Sequence, residues 1–138
     1  MQERPADVDL IIPMIPEMEL TASQTAGAVA EFMKLDPETV DEIRIALIEA
    51  CINAFEHSQS QDGRVSINFD VGDRGLTIQI TDRGQGFDLT HVQEKLNKRR
   101  EEGERHRGWG LRIMRELMDE VEIDSDEHGT TITMVKRR

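Results

Sequence analysis

The stretch from Pro37 to His57 constrains the fold most, because it predicts a long helix that is apolar on most of its sides. Asp36-Pro37 is a helix-start signal, with aspartate at the N-cap and proline at the first helical position. Apolar side chains then recur on two flanks, Ile43, Ala46, Leu47, Ala50, Cys51 and Ala54 on one and Ile45, Ile48, Ile52 and Phe55 on the other. Such a helix is usually buried, so the rest of the chain is expected to cover it.

The other periodic segments predict a two-layer fold around this helix. Alternating apolar residues predict strands near 8–12, 65–69, 76–81, 121–123 and 130–135, and helical spacing predicts helices near 20–35 and 109–118. Turn residues at 72–75 and 127–129 predict two hairpins. The order β-α-α-β-β-loop-α-β-β predicts a single α+β domain over residues 1–138, a two-layer sandwich with a mostly antiparallel sheet.

Charge and cysteine content exclude several classes of function. The 17 basic and 28 acidic residues give a net charge of −11, which disfavours duplex nucleic acid and anionic membranes as partners. The single cysteine, Cys51, allows no disulfide within one chain and suits a reducing compartment. The N-terminus lacks a basic-then-apolar signal pattern, and no apolar run is long enough to span a bilayer. We therefore expect a cytoplasmic protein.

Three polar residues interrupt the apolar helix in a regular way. Glu49, Asn53 and His57 are spaced by four residues, so they form one slanting stripe. Buried polar groups are costly unless they are satisfied, and a hydrated magnesium ion held by one amide oxygen and phosphate oxygens would satisfy them. A nearby carboxylate could then act as a general base. The alternative is an ordinary solvated helix edge, because Glu42 and Glu56 extend the stripe.

A glycine-containing loop, Asp82-Arg83-Gly84-Gln85-Gly86-Phe87, follows the strand that ends near Thr81. Glycines there let the backbone approach a ligand closely or adopt positive φ. A carboxylate at the end of the strand can accept a hydrogen bond from an exocyclic amine such as that of adenine. The same residues also suit a plain turn, and no third glycine opens a helix as the dinucleotide fingerprint requires.

A second glycine loop, Gly108-Trp109-Gly110-Leu111, opens the last predicted helix. Backbone N–H groups at a helix N-terminus bind anions, and glycine removes the steric block to phosphate approach. A simple loop-to-helix junction is the alternative. The segment at about 88–107 carries interleaved charges and could close over a ligand as a lid, but no single cation in it is assigned to phosphate.

Together these stretches resemble the GHKL superfamily of ATP-binding domains, which share the Bergerat fold with helices on one face of a mixed, mostly antiparallel sheet. The helix stretch looks like the N box, with Glu49 and Asn53 at the defining positions, and the two glycine loops look like the two glycine boxes of that superfamily. The pattern E-A-x-x-N-A-x-x-H and the end of the chain resemble the small anti-sigma factor serine kinases of the RsbW type. The resemblance covers about residues 8–136.

The resemblance implies roles for individual residues. Glu49 would be the general base, and Asn53 would hold magnesium that bridges the phosphates. Asp82 would bind the adenine amine, and Thr130 would support the adenine end. The other nucleotide contacts implied by the motifs are Gly84, Gly86, Phe87, Gly108, Gly110 and Leu111. Trp109 departs from the pattern as the bulkiest choice at a free position. It would either stack beside the lid or simply pack, and we expect it to pack.

The resemblance also implies partners and a reaction. ATP with magnesium would donate a phosphoryl group to a serine or threonine of an anti-anti-sigma protein with a STAS fold. The chain would also bind a sigma factor, form a homodimer and work by partner switching.

Two other functions compete with this interpretation. The first is a nucleotide-gated anti-sigma or regulatory module without phosphotransfer, which would have no use for the base Glu49. The second is the catalytic domain of a histidine kinase, which would need a dimerising helical hairpin for which we expect no room before Val8 or after Lys136. A metabolic ATPase is disfavoured because no second substrate domain is predicted.

Overall fold

The computed structural model describes residues 6–57, 62–82, 109–127 and 129–138. The elements follow the predicted order: β1 (Ala6–Pro13), α1 (Met18–Phe32), α2 (Pro37–His57), β2 (Arg64–Gly72), β3 (Gly75–Asp82), α3 (Gly110–Leu117), β4 (Glu120–Asp126) and β5 (Gly129–Arg137). The predicted α+β class is therefore confirmed. The predicted lid at about 88–107 lies outside the described residues.

The five strands form one sheet in the order β1-β2-β3-β5-β4. Each of these neighbouring pairs is antiparallel, so the described sheet is more regular than the mixed sheet that the resemblance implied. The β2–β3 hairpin is closed by Gly75, whose φ of 157° and close approach to Lys136 exclude a side chain: a Cβ there would lie 2.3 Å from the Lys136 carbonyl oxygen. This turn fixes the register between β2 and β3.

The three helices cover one face of the sheet. Side chains alternate along β2 and β3 between buried and partly or fully exposed, which is the pattern of a sheet covered on one side. The buried layer is formed by apolar residues from both layers, among them Ile43, Leu47, Ile67, Phe69, Ile78, Ile80, Met114, Ile132 and Met134. α2 contributes Ala46, Ala50, Cys51 and Ala54 to this core, as the first of its two apolar flanks predicts. The second flank is not fully covered as expected, because Ile45 is 47% exposed.

The start of α2 shows why its boundary could be predicted. The Asp36 carboxylate accepts a hydrogen bond from the backbone N–H of Thr39 at 2.7 Å, the interaction of an N-cap. This bond holds the pKa of Asp36 below its ordinary value. α1 differs from the prediction of about 20–35, because it begins at Met18 and ends at Phe32. Lys34 has a positive φ of 62°, which ends the helix before Leu35.

Among the helices that the structure describes, none combines the length and the apolar character needed to cross a membrane. The longest of them, α2, carries seven charged or imidazole side chains along its 21 residues.

Candidate functional site

α2 carries the first two site residues that the sequence predicts. Glu49 and Asn53 are both half-buried, one helical turn apart. Ala50, Cys51 and Ala54 beside them are buried in the core. The two polar side chains therefore lie at the border between the core and the surface. α2 ends at His57, the third residue of the predicted stripe.

Gly110 lies directly against Glu49. A Cβ atom placed on Gly110 would lie 3.2 Å from Oε2 of Glu49 and 3.9 Å from the Glu49 carbonyl oxygen. The structure thus brings Glu49 of the polar stripe to Gly110 of the second glycine loop, although the two residues are far apart in the sequence. Gly110 is itself buried, and only a residue without a side chain leaves the Glu49 carboxylate undisturbed.

The N-terminus of α3 adds a group of backbone donors beside this carboxylate. The first N–H groups of a helix have no acceptor within the helix. Trp109, at the N-cap, supplies no side-chain hydrogen bond to them. A helix N-terminus of this kind favours a bound anion such as phosphate. An anion held there would lie close to Glu49, because Gly110 is the first residue of α3.

Asp82 and Thr130 face each other at the end of the buried layer. They are partners in the register of β3 and β5, and their exposed fractions are 4% and 2%. Together with Ser23 they are the buried polar residues of the described chain. The Thr130 hydroxyl lies 3.1 Å from the Ser125 hydroxyl, which holds it in place. A buried carboxylate and hydroxyl at a strand end suit the recognition of a polar ring edge.

Several predicted site residues fall outside the described part of the chain. They are Gly84, Gly86, Phe87 and Gly108. Leu111 is described, and it is half-buried and packs against the core. Its predicted contact with nucleotide would therefore come from its backbone N–H. The roles of all these residues stay predictions.

Trp109 does not belong to the core, contrary to the packing that the sequence predicted. It is 40% exposed, and the Arg112 guanidinium lies over its ring at 5.0 Å from the centroid. Arg112 also contacts the Glu116 carboxylate at 3.5 Å. Arg112 was not predicted from the sequence, although its position three residues after Trp109 on a helix is a signal for such a contact. The contact with Arg112 restrains the side chain of Trp109, which lies between Gly108 and Gly110 in the sequence.

Cys51 is excluded as a nucleophile at this site. Its side chain is fully buried, and desolvation raises the pKa of the thiol to about 12, with a smaller contribution from the charge of Glu19. A thiol with such a pKa stays protonated at neutral pH and does not attack. Glu49 therefore stays the candidate for proton transfer on α2.

The site's chemistry fits a magnesium nucleotide. No group of three or more His, Cys, Asp and Glu side chains that could hold a metal occurs in the described ranges. A magnesium ion held by the Asn53 amide oxygen would take its other ligands from phosphate and water, as magnesium commonly does. The close contact between Gly110 and Glu49 places the N-terminus of α3, where phosphates would bind, beside this carboxylate.

The sequence model of the histidine kinase-like ATPase domain matches residues 14–136. The chain belongs to this family. The match covers α1, α2 and α3 as well as four of the five strands, so it includes every candidate site residue. It confirms the resemblance that the N box and the glycine boxes indicated.

Within this family, the chain is similar in sequence to curated serine-protein kinases. The serine-protein kinase RsbW of Bacillus pumilus is 35% identical over 144 residues, which cover 94% of this chain and 86% of the relative. The serine-protein kinases RsbW of Oceanobacillus iheyensis and Bacillus subtilis are 31% and 32% identical, each over 94% of this chain and over 85% and 84% of their own lengths. The similarity therefore extends over nearly the whole of both proteins.

Solved structures agree on the fold. The RsbU and RsbW domains of a Mycobacterium tuberculosis protein align with a TM-score of 0.71 at 20% identity, over 96% of this chain and 32% of that one. A histidine kinase domain from Erythrobacter litoralis aligns with a TM-score of 0.55 at 17% identity, over 99% of this chain and 69% of that one. At these identities the likeness concerns the arrangement of helices and strands.

Proposed function

We propose that this chain is an ATP- and magnesium-dependent protein serine/threonine kinase that phosphorylates an anti-anti-sigma partner of the STAS type. It would also act as an anti-sigma factor, bind a sigma factor and work by partner switching, as a homodimer. The relatives named serine-protein kinase support the kinase class. The observation that carries the proposal is the contact between Glu49 and Gly110, which joins a candidate base to a phosphate-binding helix end.

In the proposed reaction, each candidate site residue that the structure describes has one role. Asp82 and Thr130 bind the adenine end, and the N-terminus of α3 binds the phosphates. Glu49 accepts the proton of the substrate hydroxyl, and the hydroxyl oxygen forms a bond to the γ-phosphorus. At the same time the bond from that phosphorus to the β–γ bridging oxygen breaks. ADP leaves with that oxygen. Magnesium at Asn53 would neutralise phosphate charge. Positioning and electrostatics supply most of the rate in such transfers.

Binding of ATP is the first test. Calorimetry with ATP and magnesium is expected to give a dissociation constant in the micromolar to millimolar range, the usual span for enzyme ligands. Chelation of magnesium should weaken binding, because the phosphates would then lose a bridging cation. An absence of heat and of any thermal shift with magnesium ATP would contradict the nucleotide site and with it the proposed function.

Transfer to a partner separates the kinase from the binding module. A purified STAS-domain protein from the same organism should gain one phosphate in the presence of magnesium ATP, as seen by intact-mass spectrometry. Tight binding of ATP and of the partner without any phosphate gained would favour the nucleotide-gated module instead.

Gly110→Ala should slow transfer without unfolding the protein. The added methyl group would lie 3.2 Å from Oε2 of Glu49, closer than ordinary contact, so the carboxylate must shift by a few tenths of an ångström. We expect kcat to fall by about tenfold, since small misplacements of catalytic groups are costly. The Tm should hold or rise, because alanine favours helix. Initial rates and thermal denaturation measure the two effects.

Gly27→Ala is the matched control. Gly27 is also buried in a helix, and its added Cβ would lie 3.1 Å from Cδ of Arg44, a similar crowding away from the site. This variant is expected to transfer phosphate at the wild-type rate. Equal losses of kcat in both variants would show that crowding between helices, rather than displacement of Glu49, slows the reaction.

A further inference from the structure

Lys136 links three elements of the fold through one nearly buried ammonium group. Its side chain is 13% exposed, and Nζ donates hydrogen bonds to Oε2 of Glu42 at 2.9 Å and to the carbonyl oxygen of Leu117 at 2.6 Å. Lys136 belongs to β5, Glu42 to α2 and Leu117 to the last position of α3. The lysine therefore ties the C-terminus of α3 to α2 across the end of the sheet.

The bond to Leu117 is favourable for two physical reasons. The last carbonyl groups of a helix have no donor within the helix, so an outside donor satisfies one of them. The C-terminal end of a helix also carries partial negative charge, which attracts a cation. Glu42 balances the charge of the ammonium group, which would be costly to bury alone. The sequence pattern placed Glu42 on a solvated polar edge of α2, whereas in the structure Glu42 pairs with Lys136.

The spacing of these contacts matches the spacing of the candidate active site. Glu49 lies seven positions after Glu42 on α2, and Leu117 lies seven positions after Gly110 on α3. Each interval spans about 10 Å along its helix. Since Gly110 contacts Glu49, and Leu117 is joined to Glu42 through Lys136, α2 and α3 run antiparallel with a contact at each end.

Other bonds hold the chain after α3, but they do not reach α2. The N–H of Asp119 donates to the Val135 carbonyl oxygen at 2.9 Å, and the Asp119 carboxylate accepts from the N–H of Arg137 at 2.6 Å. These bonds fix the turn into β4 against β5. Loss of the Lys136 side chain would therefore leave α3 attached to the sheet and packed on α2 through apolar residues such as Met114. It would remove the polar link between the C-terminal end of α3 and Glu42.

We propose that Lys136 is a positioning residue for phosphoryl transfer: by holding the C-terminus of α3 to Glu42, it sets where Gly110 and the N-terminus of α3 meet Glu49. This inference rests on the proposed function. Lys136 does not touch the reacting atoms, and it acts through the placement of α3. Because α3 is a short helix of eight residues, a shift at Leu117 is carried to Gly110 as a tilt or slide of the whole helix.

The test compares three variants for kcat, for KM and for the affinities of ATP and ADP. Lys136→Met is expected to lower kcat by about tenfold to a hundredfold, as misplacement by about 1 Å does. It should weaken the binding of ATP more than that of ADP, because in the proposed reaction the γ-phosphate would be held beside Glu49 at the displaced end of α3. The binding of adenine by Asp82 and Thr130 should be unaffected. Lys136→Arg, which keeps the charge and the donors, should recover most of the rate.

Arg137→Met is the matched control. Arg137 is the next residue of β5, it has the same charge, and it pairs with the exposed Glu120 at 3.1 Å on the other side of the sheet. This variant should keep the wild-type kcat and the wild-type ratio of ATP to ADP affinity. A fall in both quantities equal to that of Lys136→Met would overturn the proposal, because loss of any cation would then suffice.

Two further results would overturn the positioning role. One is a lower Tm for Lys136→Met with unchanged kcat, and the other is an equal loss of ATP and ADP affinity, since both describe a purely structural lysine. If Lys136→Met does not fold, Glu42→Gln replaces it in the test. Its kcat should be about two- to fivefold lower, because one charge-assisted contact is lost. An unchanged kcat in Glu42→Gln would count against the proposal. Failure of the proposed function is seen separately, as a wild-type protein that binds no ATP.

Discussion

Replacing Glu49 with glutamine should lower the rate of phosphoryl transfer by about 10²- to 10⁴-fold, the usual contribution of a general base. The amide has the size and shape of the carboxylate, so the contact with Gly110 is kept, but it cannot accept the proton of the substrate hydroxyl. Glutamine also removes a negative charge beside the phosphates. Binding of ATP should therefore be retained or slightly tightened. Initial rates of phosphate incorporation and calorimetry with ATP measure the two quantities.

Glu56→Gln is the control for this prediction. Glu56 is a half-buried glutamate seven residues further along α2, close to the same face of the helix. The same exchange there should leave the transfer rate within about twofold of wild type, as expected for a group outside the chemistry. Wild-type transfer by Glu49→Gln would remove Glu49 from the role of base. Loss of ATP binding in that variant would instead assign the carboxylate to nucleotide binding.

The fold was predictable from the sequence where local signals coincide with burial. α2 begins and ends at the predicted residues, because the Asp36 N-cap and the apolar flanks act over the same helix. β2 and β3 follow their alternating patterns into a turn that requires Gly75. The limits of α1 were predicted less well. Glu17 and Lys34 adopt positive φ at its two ends, and neither residue is a usual signal for that conformation.

The site was predictable as a set of motifs, whereas its geometry required the tertiary structure. Helical spacing places Glu49 and Asn53 on one stripe, but it gives no distance to Gly110, which belongs to a helix that follows two strands and a long charged segment. Lys136 escaped the sequence analysis for the same reason. The strand pattern marks Lys136 only as a polar residue near the end of the last strand. Its partners Glu42 and Leu117 belong to two other elements, so the sequence gives no sign of these contacts.

Asp82→Asn should weaken the binding of ATP by about 10- to 150-fold, which corresponds to about 1.5–3 kcal/mol for a hydrogen bond to a charged group. Asp82 is 4% exposed, so a bond from its carboxylate to the adenine amine would be made away from water and would be strong. The asparagine amide is of equal size, and it accepts more weakly. Calorimetry with ATP and with GTP, both with magnesium, measures the loss and the base preference.

The base preference makes this prediction specific to adenine. Adenine presents an amine where guanine presents an oxygen, so the buried carboxylate should favour ATP strongly over GTP. An asparagine at this position both donates and accepts, and the ratio of ATP to GTP affinity should fall toward unity. Thr81→Val is the control, because Thr81 is the preceding residue on the opposite face of the sheet, with its hydroxyl 3.4 Å from that of Thr131. Weaker binding of both nucleotides by the same factor in Asp82→Asn would mean that Asp82 supports the pocket without recognising the base.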